Sequence, residues 1–169
     1  MKKVIIAALL SAFVATPAFA EKDTGIYAGV KVGQSDVGGN AIGYGVYGGY
    51  NIDQSVTSKI AGGSQFMEKV SFAGEVEYTS LGSNTIYKAS SIGAVLAATY
   101  PINQQFSAIA KAGLARTVND VSFLSSTTIG LRVGIAGQYN LNEKIGLRAG
   151  YDVFPDGFSQ LSAGAVFKF

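Results

Sequence analysis

The residues best placed to do chemistry in this chain are eight charges set within extended, alternating segments: Lys31, Glu75, Glu77, Lys111, Arg132, Arg148, Asp152 and Lys168. Apolar residues flank many of them. Lys31 lies between Val30 and Val32, Glu77 between Val76 and Tyr78, Arg132 between Leu131 and Val133. In a strand this alternation turns the charges to one face and the apolar residues to the other. Five charges are positive and three negative, and in a confined space an unpaired one is costly. Glu75 and Glu77 are therefore expected to pair with some of Lys111, Arg132 and Arg148. Two chemistries fit such a set: an ion-paired core that fixes packing, or a narrow gated path for ions. General acid–base catalysis by the two glutamates is a third, but the chain has no histidine. No Ser-His-acid constellation can be assembled, and the commonest transition-metal ligand is missing. Cysteine is absent too, which removes thiol and disulfide chemistry. No cofactor, metal or catalytic residue is expected.

The elements that position these charges are strands. Period-2 alternation recurs along the chain, punctuated by turn residues. It predicts strands at about 25–33, 42–50, 70–79, 86–100, 106–116, 127–139 and 145–154, with an eighth ending at Phe169. Connections are expected at Gln34–Ala41, Leu81–Thr85, Pro101–Gln105, Thr117–Ser126, Asn140–Lys144 and Pro155–Gly157. Asn51–Lys69 is long for a turn and reads as an extended connection. The alternative is an extra hairpin, Val56–Ala61 with Ser64–Lys69, which makes ten strands.

A chain with this pattern has lipid on its outside. Lys2 and Lys3, the apolar run Val4–Val14 and the small residues of Pro17-Ala-Phe-Ala20 form a secretory signal, with cleavage expected between Ala20 and Glu21. Without Lys2 and Lys3, basic and acidic residues balance at 11 each, so no nucleic-acid footprint is supported. Beyond the signal no apolar run reaches the ~20 residues of a spanning helix. The remaining way to cross a membrane is a closed β-barrel. The expected fold is all-β: an antiparallel up-and-down barrel of eight strands, residues 21–169. Tyr50, Phe72, Tyr100, Phe106, Tyr139, Phe167 and Phe169 at one end, with Tyr44, Tyr78 and Tyr151 nearer the other, make two candidate interfacial girdles. Gly43-Tyr-Gly-Val-Tyr-Gly48 matches a dinucleotide pattern by coincidence, because its glycines alternate inside a strand and no helix follows.

Gly48-Gly-Tyr-Asn51, Ala73-Gly-Glu-Val-Glu-Tyr78, Gly150-Tyr-Asp152 and Leu161-Ser-Ala-Gly-Ala-Val-Phe-Lys-Phe169 carry a resemblance to OmpA-like eight-stranded barrels, most of all to the small opacity-type surface antigens of Gram-negative outer membranes. The resemblance implies that the closing aromatics, Phe167 and Phe169, are read by the barrel-assembly machinery. It does not extend to a following peptidoglycan-binding domain, so no cell-wall tether is implied, and the outer loops are shorter than those of adhesive opacity proteins. Lys88 and Arg116, near the outer loop ends, are candidates for contact with lipopolysaccharide phosphates. The expected function is a non-catalytic outer-membrane surface barrel serving envelope integrity or surface interaction, adhesin-like or lipopolysaccharide-contacting. Its partners are outer-membrane lipid, lipopolysaccharide and the assembly machinery. The alternative is a narrow ion-conducting pore or a small-ligand barrel.

Overall fold

In the computed structural model, residues 25–37, 39–52, 69–83, 87–121 and 124–169 are described. They form eight strands: β1 (Ile26–Ser35), β2 (Ala41–Asn51), β3 (Ser71–Ser83), β4 (Tyr87–Pro101), β5 (Phe106–Val121), β6 (Leu124–Asn140), β7 (Ile145–Val153) and β8 (Ser159–Lys168). Each pairs antiparallel with its sequence neighbours, and β8 pairs with β1 from Tyr27↔Lys168 to Ser35↔Gln160, closing the barrel. The signal segment and its expected cleavage at Ala20–Glu21 lie outside the described residues, as does most of the possible extra hairpin. β2 pairs directly with β3 from Tyr44↔Ser80 to Asn51↔Ala73, so no further stave stands between them.

The strands run further than the alternation indicated. Thr117–Ser126 is expected as a loop, yet the β5–β6 ladder continues through Thr117↔Thr128 and Asn119↔Ser126 to Val121↔Leu124. β1 likewise reaches Ser35, β3 reaches Ser83 and β6 starts at Leu124. The reason is physical. Where both faces of a ladder are wet, nothing selects apolar residues on either, so Asn119-Asp120 and Ser125-Ser-Thr-Thr128 pair without showing a period. At the other end the β4–β5 and β6–β7 connections are tight turns of one design. Asn103 Oδ1 accepts from the backbone N–H groups of Gln105 (2.9 Å) and Phe106 (2.7 Å), and Asn142 Oδ1 accepts from those of Lys144 (2.9 Å) and Ile145 (2.8 Å). Asn142→Ala is expected to cost about 1 kcal/mol, measured as a lower urea midpoint of the barrel in detergent micelles.

The side-chain distribution is that of a protein turned inside out. Ile42, Leu131 and Ile135 are 78%, 64% and 66% exposed on the outer wall, whereas Glu77 and Arg132 are each 1% exposed within. The interior has three layers. Tyr27, Tyr47, Ala73, Ala97, Ile109 and Val166 form an apolar layer at the tight-turn end. Val37, Ala41, Leu81, Ala89 and Phe154 form another at the opposite end. Glu77, Asp152 and their cations lie between. Glycine makes room for bulk across β1–β2: Gly29 faces Tyr47 and Gly49 faces Tyr27, and a methyl on either glycine would overlap the opposing phenol ring.

Candidate functional site

Five staves send charge into one cluster. Lys31 Nζ on β1 lies 2.6 Å from Glu77 Oε1 and 3.1 Å from Asp152 Oδ2. Lys111 Nζ on β5 lies 3.6 Å from Glu77 Oε2 and 3.0 Å from Asp152 Oδ1. Arg132 on β6 places its guanidinium 2.5 Å from Glu77 and 3.3 Å from Asp152. Glu77 and Asp152 are thus twin hubs, each held by the same three cations. Phe154 roofs the cluster, its ring centroid 4.6 Å from the Arg132 guanidinium carbon.

A second, smaller group lies nearer the tight turns. Arg148 Nη1 is 2.6 Å from Glu75 Oε1, which also accepts from the Tyr27 hydroxyl at 2.7 Å. Arg148 Nε donates to Gln138 Oε1 at 3.1 Å, and its guanidinium lies over the rings of Tyr47 (4.9 Å) and Tyr27 (5.6 Å). Lys168 donates to Asn140 Oδ1 at 3.1 Å, which also accepts from Gln138 Nε2 at 2.9 Å and so ties Lys168 to the rim side of the Arg148 group. The structure therefore brings seven of the eight candidate charges into two clusters and leaves Lys168 near the rim. Lys31 joins Glu77, a partner the sequence did not single out. Tyr27, Tyr47, Gln138 and Phe154 also complete the network. Strand parity already turned the two tyrosines inward with the charges, but periodicity carries no information on which stave they reach across to.

The bore is filled, as the interior of an eight-stranded barrel is expected to be. At its centre a space of about 10 Å³ lies beside Lys31, Tyr47, Lys111 and Arg148. At the rim opposite the tight turns, Asp36 accepts from the Ser159 backbone N–H at 2.8 Å and its hydroxyl at 3.0 Å, and Asn119 Nδ2 donates to Asp156.

The outer wall places the remaining candidates. Arg116 and Lys88 are exposed and point outward. Arg116 sits in register between Ile92 and Ile129, both more than half exposed, so it marks the upper border of the apolar wall. Lys88 lies higher, opposite Asp120. Phe106 and Tyr139 form a tilted ring pair, 5.9 Å between centroids, near the tight turns. Phe167 is half-buried, and the Phe169 backbone N–H donates to the Ile26 carbonyl at 2.9 Å, extending the β1–β8 seam.

One strand edge is open. β6 pairs with β7 only from Val133↔Val153 to Asn140↔Gly146. Leu124–Arg132 pairs with β5 on one side, and no described strand pairs with its other side. The tops of β4, β5 and β6 therefore stand above the β7–β8 turn as a small sheet with a free edge.

An apolar outer wall around an ion-paired, packed interior defines a membrane-spanning barrel of the outer-membrane class. The chain belongs to the family of outer membrane protein β-barrel domains, whose model matches residues 5–169. It is an outer-membrane protein. No protein of curated function matches it. Among solved structures it is similar to Neisserial surface protein A (21% identity, covering 85% of this chain and 96% of that one, TM-score 0.53). It is also similar to Ail, the attachment invasion locus protein of Yersinia pestis, in complex with the heparin analogue sucrose octasulfate (15%, 85% and 96%, TM-score 0.52). A third similar structure is the outer membrane enzyme PagL (14%, 85% and 99%, TM-score 0.53). At these identities the likeness is one of fold, and it embraces surface proteins and an enzyme alike.

Proposed function

We propose that this protein is a non-catalytic surface barrel whose interaction element is the sheet formed by the tops of β4, β5 and β6. The observation that carries this reading is the free edge of Leu124–Arg132. In barrels of this class the short turns face the periplasm, which places that sheet outside the cell. An edge of unpaired backbone groups is a template for an added strand, and natural sheets blunt such edges with charge or proline. Here Leu124-Ser-Ser-Thr-Thr-Ile-Gly-Leu131 carries neither. The absence of histidine supports the non-catalytic part, and the carboxylates that remain are engaged with cations inside the lumen. The filled bore favours a packed core over an ion path.

The test is display of the protein on a bacterial surface with Thr127→Lys and Ile129→Lys, two outward positions on the free edge. Adherence to host cells is expected to fall to the level of a strain lacking the protein, while heat-modifiable gel migration stays unchanged. Unaltered adherence with a folded variant barrel would count against the edge.

Lipopolysaccharide contact is the second part of the proposal, supported by Arg116 at the border of the apolar wall with Lys88 above it. Lys88→Ala with Arg116→Ala is expected to reduce co-purifying lipopolysaccharide roughly tenfold, the loss of one or two charge-assisted contacts. An equal yield would remove both residues from the site. For assembly, the proposed partner is the barrel-assembly machinery, reading Phe167 and Phe169 on β8 and just past it.

A further inference from the structure

We propose that the barrel lumen holds one small monovalent anion of halide size, such as chloride, in the cavity between its two ion-pair clusters. The first support is charge. Lys31, Lys111, Arg132 and Arg148 face three carboxylates, Glu75, Glu77 and Asp152, so the described interior carries one more positive charge than negative. Lys168 lies outside this count, bonded to Asn140 near the tight-turn rim, and Asp36 and Asp156 lie at the far rim, beyond the layer containing Leu81 and Phe154. An uncompensated charge this deep is costly, and a bound counterion removes the cost.

The second support is the cavity. Its space of about 10 Å³ suits one water or one small ion. Its walls supply hydrogen-bond donors from separate staves: Lys31, Lys111, Arg148, the Tyr47 hydroxyl and the Ser162 hydroxyl. Lys31 and Lys111 are 8% and 7% exposed. Tyr47 is 6% exposed, and its hydroxyl has no partner among the described residues. The carboxylates on the same wall, Glu77 and Asp152, are each held by three cations, so the cavity as a whole favours an anion. A polyatomic anion such as sulfate or gluconate is too large for the space.

The experiment is urea unfolding of the full-length protein in detergent micelles at constant ionic strength, in chloride, bromide or gluconate. Chloride and bromide are expected to raise the midpoint by roughly 0.5 M over gluconate, saturably. Crystals grown in bromide are expected to show one anomalous peak between Tyr47 and Lys111. Tyr47→Phe is expected to shrink the halide-dependent rise, and Lys111→Met to abolish it. If Lys111→Met does not assemble, the Tyr47→Phe comparison carries the test alone. Equal midpoints in chloride and gluconate, no bromide peak in the cavity, or an undiminished rise in Tyr47→Phe would each overturn the proposal.

Discussion

Glu77→Gln is expected to destabilise the barrel by about 3–5 kcal/mol, the cost of breaking a buried ion pair by removing one partner. The substitution keeps the shape of the side chain and removes its charge. Lys31, Lys111 and Arg132 then share Asp152 as their one remaining carboxylate. The cost should exceed that of Glu75→Gln, because Glu75 faces a single cation and the Tyr27 hydroxyl. Urea midpoints and the temperature at which the folded band is lost on a denaturing gel measure both variants. Single-channel conductance separates the two readings of the lumen. A packed core predicts lower stability with no conductance in wild type, and a gated path predicts conductance that changes with Glu77. If Glu77→Gln left stability and conductance both unchanged, neither reading would hold for this residue.

Gly164→Val is expected to prevent closure, seen as loss of the heat-modifiable band and of membrane insertion. Gly164 lies on β8 opposite Lys31 on β1, at the seam that turns eight strands into a ring. A Cβ at Gly164 would overlap the Val30 carbonyl oxygen and come within 2.8 Å of the Lys31 Cα. Those are backbone atoms of the adjoining stave, so no rotamer change relieves the overlap. Relief requires the two strands to separate, which exposes an unpaired edge where no water can satisfy it. Gly74→Val on the outer wall is the control. A Cβ there meets nothing within 4 Å, and assembly should be unaffected. Normal folding of Gly164→Val would show that the seam tolerates wider spacing than the pairing implies.

Much of the fold was legible because the membrane imposes a strict rule. Along β4, β5 and β7 the outward residues must be apolar and the inward ones small or polar, so parity alone assigned Ile92, Leu114 and Leu147 outward and Lys111, Arg148 and Asp152 inward. The tops of β5 and β6 were not legible for the converse reason. Above the lipid the rule lapses, and Asn119, Asp120, Ser125 and Ser126 read as loop although they pair in register. The free edge of β6 was hidden with them, since an edge is defined by a partner strand that stops short. The alternation carries β7 on to Phe154, whereas the strand ends at Val153 and Phe154 forms the roof over Arg132.

By itself the sequence determined an up-and-down antiparallel barrel of eight staves or ten, the lipid-facing wall and the charges that turn inward; the direct β2–β3 pairing decided for eight. Each follows from a local period or from the requirement that every backbone group within the membrane be paired. Tertiary structure alone decided which charge meets which. Glu77 draws on three other staves and Glu75 on one guanidinium and one phenol, because closure and register set which side chains share a level in the bore. That decision gathers Lys31, Lys111 and Arg148 around the Tyr47 hydroxyl, which has no partner among the described residues, a juxtaposition no period along the chain could encode.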